Sequence, residues 1–108
     1  MGEAEEDAQF GIEETAEANA VRLVLTGELD LAVAEKLRAR LETLADAGTA
    51  VTLDLSMLDF IDSSGLNLLI TYHRYAAREG WNLHINPRIS GEVERVIKLA
   101  GLDKLFWP

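Results

Sequence analysis

The chain has 108 residues, 48% hydrophobic and 27% charged, which suits one domain with one core and leaves too little for two. That apolar share excludes a wholly disordered chain, and the lack of cysteine excludes a disulfide framework or thiolate metal site and fits a reducing compartment. The formal net charge of −9 is uneven: residues 1–17 hold Glu3, Glu5, Glu6, Asp7, Glu13, Glu14 and Glu17 and no Lys or Arg, leaving 12 acids against 10 bases beyond them.

Residues 1–8 read as a flexible acidic tail, with a single domain expected over residues 9–108. Direct nucleic-acid binding is disfavoured, because phosphate recognition needs concentrated positive charge. No apolar run approaches ~20 residues, and the acidic start lacks the basic character of a signal peptide. A cytoplasmic protein without a membrane span is expected.

In chain order, Phe10 and Ile12 begin a weak first strand that ends before residues 16–20. Residues 21–26, Val-Arg-Leu-Val-Leu-Thr, predict a better strand, broken by Gly27. Val33, Leu37, Leu41 and Leu44 repeat at helical spacing and predict a helix over 32–47, with Gly48 as its left-handed stop. Residues 51–55 predict a short strand. A second helix is expected over 64–79, with Leu66, Leu69, Ile70 and Ala77 on one face and Gly80 as its stop. A strand over 81–85 closes at Asn86-Pro87. Ser90 then caps a third helix carrying Val93, Val96, Ile97 and Ala100, with Glu92 and Glu94 in its first turn and Lys98 near its end, the polarity the helix dipole favours.

Strands alternating with helices of this length imply right-handed crossovers and parallel pairing, while the short link between the first two strands implies an antiparallel pair. The expected fold is a small α/β domain: a mixed sheet of four or five strands with three main helices.

Catalytic chemistry finds little support in these residues. His73 and His84 are the only histidines, neither in a metal-ligand or triad spacing, and both read as structural. No phosphate-cradling glycine loop is present, and Trp81 and Trp107 read as packing residues. No catalytic residue, cofactor or metal is expected.

One segment stands apart: residues 59–66, Asp-Phe-Ile-Asp-Ser-Ser-Gly-Leu, expected as a turn at the carboxyl end of the sheet, where open α/β sheets carry functional loops. Its Asp and Ser residues are also ordinary helix caps. A phosphoryl group on Ser63 would lie at a helix N-terminus, which favours an anion, and would add about −1.5 to −2 charges beside Asp62 and Asp59. These considerations do not separate Ser63 from Ser64. A second acidic loop, Gly27-Glu28-Leu29-Asp30, lies at the same sheet edge, so Asp30 can approach Ser63 or simply cap its own helix.

The ordered set GELDLAVAEKLRARL (27–41), VTLDLSMLDFIDSSGLNLLI (51–70) and VERVIKLAGLDKLF (93–106) resembles the STAS domain of anti-sigma-factor antagonists over about residues 20–106. The resemblance implies a partner-switching protein without catalytic activity of its own. Unphosphorylated, such a protein binds an anti-sigma factor serine kinase of the histidine-kinase-like ATPase fold and so frees a sigma factor. The kinase then phosphorylates the serine after the motif aspartate, here Ser63, and a metal-dependent serine phosphatase resets the system. By position, Asp62 and Ser64 flank the acceptor, Asp30 with Glu28 supplies the neighbouring recognition loop, and Gly65 allows close approach. Asn67 stands where many relatives carry a second glycine and alters the partner-facing surface. The competing readings are a constitutive STAS scaffold, either a stressosome-type subunit or the partner of an ABC transporter ATPase, and a small enzyme or nucleotide-binding domain.

Overall fold

A computed structural model describes residues 10–108. The expected acidic tail over residues 1–8, and its boundary with the domain, lie outside the described residues. The elements in order are β1 (Phe10–Glu17), β2 (Ala20–Leu29), α1 (Leu31–Asp46), β3 (Ala50–Asp54), β4 (Leu58–Ile61), α2 (Ser63–Glu79), β5 (Leu83–Ile85), α3 (Gly91–Leu99) and the single turn α4 (Asp103–Phe106).

The sheet has five strands in the order β1-β2-β3-β5, with β4 also on β2. β1 runs antiparallel to β2, and the β2–β3, β2–β4 and β3–β5 pairs are all parallel, as the pattern of short and long connections requires. β2 serves two partners along one side. Residues 20–24 pair with β3 and residues 27–29 with β4.

Alternation along β2 sets the two faces. Leu23, Leu25 and Leu29 are fully buried, while Arg22, Val24 and Thr26 between them are half-buried on the open face. Val51 and Leu53 of β3 continue the buried face and join Leu37, Leu41 and Leu44 of α1, Leu68 and Leu69 of α2, and Val93 and Ile97 of α3 in one core. Each fully buried leucine contributes about 1.5–3 kcal/mol relative to exposure, so this face decides the fold.

Several boundaries differ from expectation, each for a physical reason. β1 runs on through Ala16 to Glu17 because a two-residue hairpin turn returns the chain directly, with Ala18 at φ 37°. That left-handed conformation costs an alanine roughly 1–2 kcal/mol. Gly27 does not end β2: with φ 84° it absorbs a register shift against β4, and the strand continues to Leu29. The segment expected as a turn before α2 contains β4, a four-residue strand whose two middle side chains are exposed and so show no simple alternation. α1 and α2 each begin one residue earlier than expected. On α2, Ala76 faces the core and Ala77 the solvent. The last strand contains only Leu83–Ile85, because Trp81 is spent on packing.

Ser90 stands at the start of α3, but its hydroxyl makes no cap hydrogen bond; it donates to the Leu58 carbonyl at 2.5 Å and ties α3 to β4. Both tryptophans pack as read from the sequence. Trp81 Nε1 donates to the Thr49 carbonyl at 2.7 Å and Trp107 Nε1 to the Ile85 carbonyl at 2.6 Å. Because Asn86 N–H turns inward to Leu53, the Ile85 carbonyl points to the free edge of the sheet, where Trp107 covers it. His73 is half-buried with its ring edge-on to Phe106, a packing role, whereas His84 is exposed on β5.

On the open face, Asp54 is 8% exposed and accepts from Arg22 Nη2 at 2.8 Å, Arg22 Nε at 3.2 Å, Ser56 N at 2.9 Å and Ser56 Oγ at 2.6 Å. Burial pushes its carboxyl up, but the Ser56 hydroxyl and amide and the Arg22 guanidinium together hold it below the usual carboxylate range. A lowered folded-state pKa contributes stability that is present above the unfolded value of about 3.9 and lost as pH falls through the folded value. Arg22→Ala is expected to cost about 1–2 kcal/mol at neutral pH and to move acid unfolding to higher pH, read by circular dichroism across an acid titration. An unmoved acid midpoint would show that the pair contributes nothing.

Candidate functional site

The two acidic loops meet at the carboxyl pole of the sheet. Asp30 and Asp62, each in extended backbone, are the N-caps of α1 and α2. Asp30 Oδ1 accepts from Ala32 N at 3.1 Å and Asp62 Oδ1 from Gly65 N at 3.0 Å, so the capping role is real at both positions. Asp62 does more. Its Oδ2 accepts from the Leu31 amide at 3.2 Å, and its own N–H donates to the Leu29 carbonyl at 3.1 Å. One carboxylate thus holds the first turns of both helices, 31 residues apart in sequence.

The close packing behind this arrangement rests on Gly65, which is buried. A Cβ there would lie 2.8 Å from the Leu29 carbonyl oxygen, the Leu29 Cγ and the Ile61 Cγ1. Only a residue without a side chain lets α2 begin against the end of β2.

Ser63, the first residue of α2, is exposed, whereas Ser64 is half-buried. The structure therefore distinguishes the two hydroxyls by access. Glu28 is exposed and paired in register with Phe60. Ser64 and Asn67 border a groove of about 390 Å³ between α1 and α2, whose opposite wall includes Ala34, Glu35 and Arg38. Glu28, Asp30, Asp62, Ser63, Ser64 and Gly65 come together at the pole, and Asn67 lies one turn along α2. Arg38 forms ion pairs with Glu35 and Glu42, so the cation on the α1 wall of the groove is already engaged.

Nothing in the sequence marks out Leu31 or Phe60, both exposed at this pole. Leu29 and Leu31 flank Asp30 identically in the sequence, and only the fold buries one and exposes the other. Among the described residues no group of three or more His, Cys, Asp or Glu side chains is placed to hold a metal ion, and no helix is long and apolar enough to cross a membrane. Chemically, the pole offers an exposed serine at a helix start and a second, half-buried one beside it, among carboxylates.

A family model described as "Mlab, STAS domain" matches residues 12–107. The anti-sigma-F factor antagonist RsfB of Mycobacterium tuberculosis is 36% identical over 86 residues, covering 78% of this chain and 68% of RsfB. The anti-sigma-B factor antagonist of Bacillus subtilis is 26% identical over 88 residues, covering 82% of this chain and 80% of that protein. Among solved structures, the anti-sigma factor antagonist SpoIIAA in its unphosphorylated form superposes with a TM-score of 0.73 at 25% identity, covering 87% of this chain and 84% of that chain. The phosphorylated form of SpoIIAA from Bacillus gives 0.65 at 28% identity, covering 88% and 86%.

Proposed function

Because the chain belongs to the STAS-domain family, we propose that it is a phosphorylation-switched antagonist of an anti-sigma factor, with Ser63 as the acceptor. Unphosphorylated, it binds a serine kinase of the histidine-kinase-like ATPase fold and thereby releases a sigma factor for transcription. Phosphorylation of Ser63 dissociates the pair, and a metal-dependent serine phosphatase restores the binding form. The observation that carries this reading is the exposed Ser63 at the start of α2, beside the half-buried Asp62 that holds both loops. The relatives named as anti-sigma factor antagonists support the partner class.

The physics of the site fits the role. A phosphoryl group at the start of α2 meets the positive end of a helix, so the fold accepts it with little strain. Its surface changes sharply, since about −1.5 to −2 charges join Glu28, Asp30, Asp59 and Asp62 at the same pole. Asp30 and Glu28 supply recognition from the neighbouring loop, while Ser64 and Asn67 shape the adjoining groove.

Incubation with the cognate kinase and ATP is expected to add a single phosphoryl group, seen by intact mass and absent from Ser63→Ala. A protein that no cognate kinase labels would instead be a constitutive STAS scaffold or adaptor, with Ser63 serving contact alone.

A further inference from the structure

Among the described residues, four large apolar side chains are strongly exposed: Leu31 at 75%, Met57 at 60%, Phe60 at 40% and Leu99 at 75%. Single exposed leucines are ordinary on protein surfaces. Here two of the four lie on the segments that build the switch pole, Leu31 opening α1 and Phe60 standing on β4, while Met57 sits in the β3–β4 turn at the other end of that strand. These segments are bound to one another, since Phe60 pairs in register with Glu28 and the Leu31 amide donates to Asp62. Around them lie Glu28, Asp30, Asp59 and Asp62, and neither residues 27–31 nor residues 57–65 include a Lys or Arg.

We infer that Leu31 and Phe60 are the apolar anchors on which the kinase acting on Ser63 docks, and that the matching kinase surface is apolar with a basic rim. This rests on the reading of Ser63 as the acceptor. Charge selects the occupant. A second copy of this chain would set Glu28, Asp30, Asp59 and Asp62 against their own kind, and an anionic lipid surface would be repelled by the same carboxylates. A partner with cations around an apolar hollow meets both features at once. The two features then divide the work: the anchors hold the complex by burial, which salt hardly screens, while the carboxylates steer the encounter. A phosphoryl group on Ser63 stands inside that rim, against the nucleotide phosphates of the kinase that supplied it, so it repels the partner there and leaves the anchors in place.

The test uses the ATPase captured on immobilised Ser63→Ala protein, identified by mass spectrometry and then purified. It is titrated at low and high salt against wild type, Leu31→Ser, Phe60→Thr and Asp59→Asn. Leu31→Ser removes a side chain standing in solvent, and Phe60→Thr keeps a strand-forming residue, so both are expected to fold as wild type does. Each is expected to weaken binding about tenfold or more with an unchanged salt dependence, and to raise KM for Ser63 phosphorylation while leaving kcat alone. Asp59→Asn is expected to slow association and flatten the salt dependence. Wild-type affinity in both apolar variants overturns the anchors and leaves the switch standing. An ATPase that binds through Leu31 and Phe60 yet never modifies Ser63 overturns the switch and leaves the anchors standing. Self-association of the wild type that Leu31→Ser abolishes assigns the face to a second copy and overturns the proposal.

Discussion

Ser63→Ala protein is expected to hold its kinase and never release it by phosphorylation, whereas Ser63→Asp is expected to bind roughly ten- to a thousandfold more weakly. The range follows from charge and distance. Two unit charges about 4 Å apart interact by roughly 1 kcal/mol in water and roughly 4 kcal/mol at a partly buried surface. The new anion faces a partner carboxylate or the kinase's nucleotide phosphates, and Asp30 and Asp62 are half-buried at this pole, so the repulsion lies closer to the second case. No rearrangement of the fold is required, because the caps of α1 and α2 are made by Asp30 and Asp62 and not by the serine itself. Titration of both variants against the purified kinase decides the matter. Equal affinity for the two would show that charge at Ser63 does not govern release.

Gly65→Ala carries the largest expected effect on stability. Three atoms already stand 2.8 Å from where its Cβ must go, one of them the backbone carbonyl oxygen of Leu29, which no rotamer change can move. Relief requires the first turn of α2 to retreat from the end of β2, and overpacking of this kind costs about 2–3 kcal/mol, or on the order of 10 °C in Tm. The same retreat displaces Ser63 and the Asp62 carboxylate. Gly91→Ala is the matched control, since a Cβ there meets nothing within 4 Å at the start of α3. That variant is expected to be neutral or slightly stabilising. Thermal unfolding of the pair separates a steric role from a general dislike of side chains at helix starts; equal melting temperatures would mean that α2 yields without strain.

Much of this architecture is legible in the order of residues, and the parts that are not share a cause. The leucines of α1 and the stops at Gly48 and Gly80 declare themselves, because helical periodicity and left-handed termini are local properties. β4 does not declare itself: Asp59 and Phe60 are both exposed between two buried residues, so the period-two signature of a strand is absent. Gly27 reads locally as a strand breaker, yet pairing with β4 turns it into a bulge inside a longer strand. At the site, Asp30, Asp62 and Gly65 are visible as residue types suited to caps and close approach. The hydrogen bond from the Leu31 amide to Asp62 is not, since nothing within either loop specifies a partner so far along the chain. Nor does sequence separate Ser63 from Ser64; the helix orientation set by core packing does, leaving the first in solvent and half-burying the second.

With both loops moored to Asp62, an incoming protein encounters a relief that was sculpted before it arrived. Little configurational freedom is then left to surrender on docking, so even a modest footprint can discriminate one visitor from another. A looser junction between those strands of chain would blur that outline.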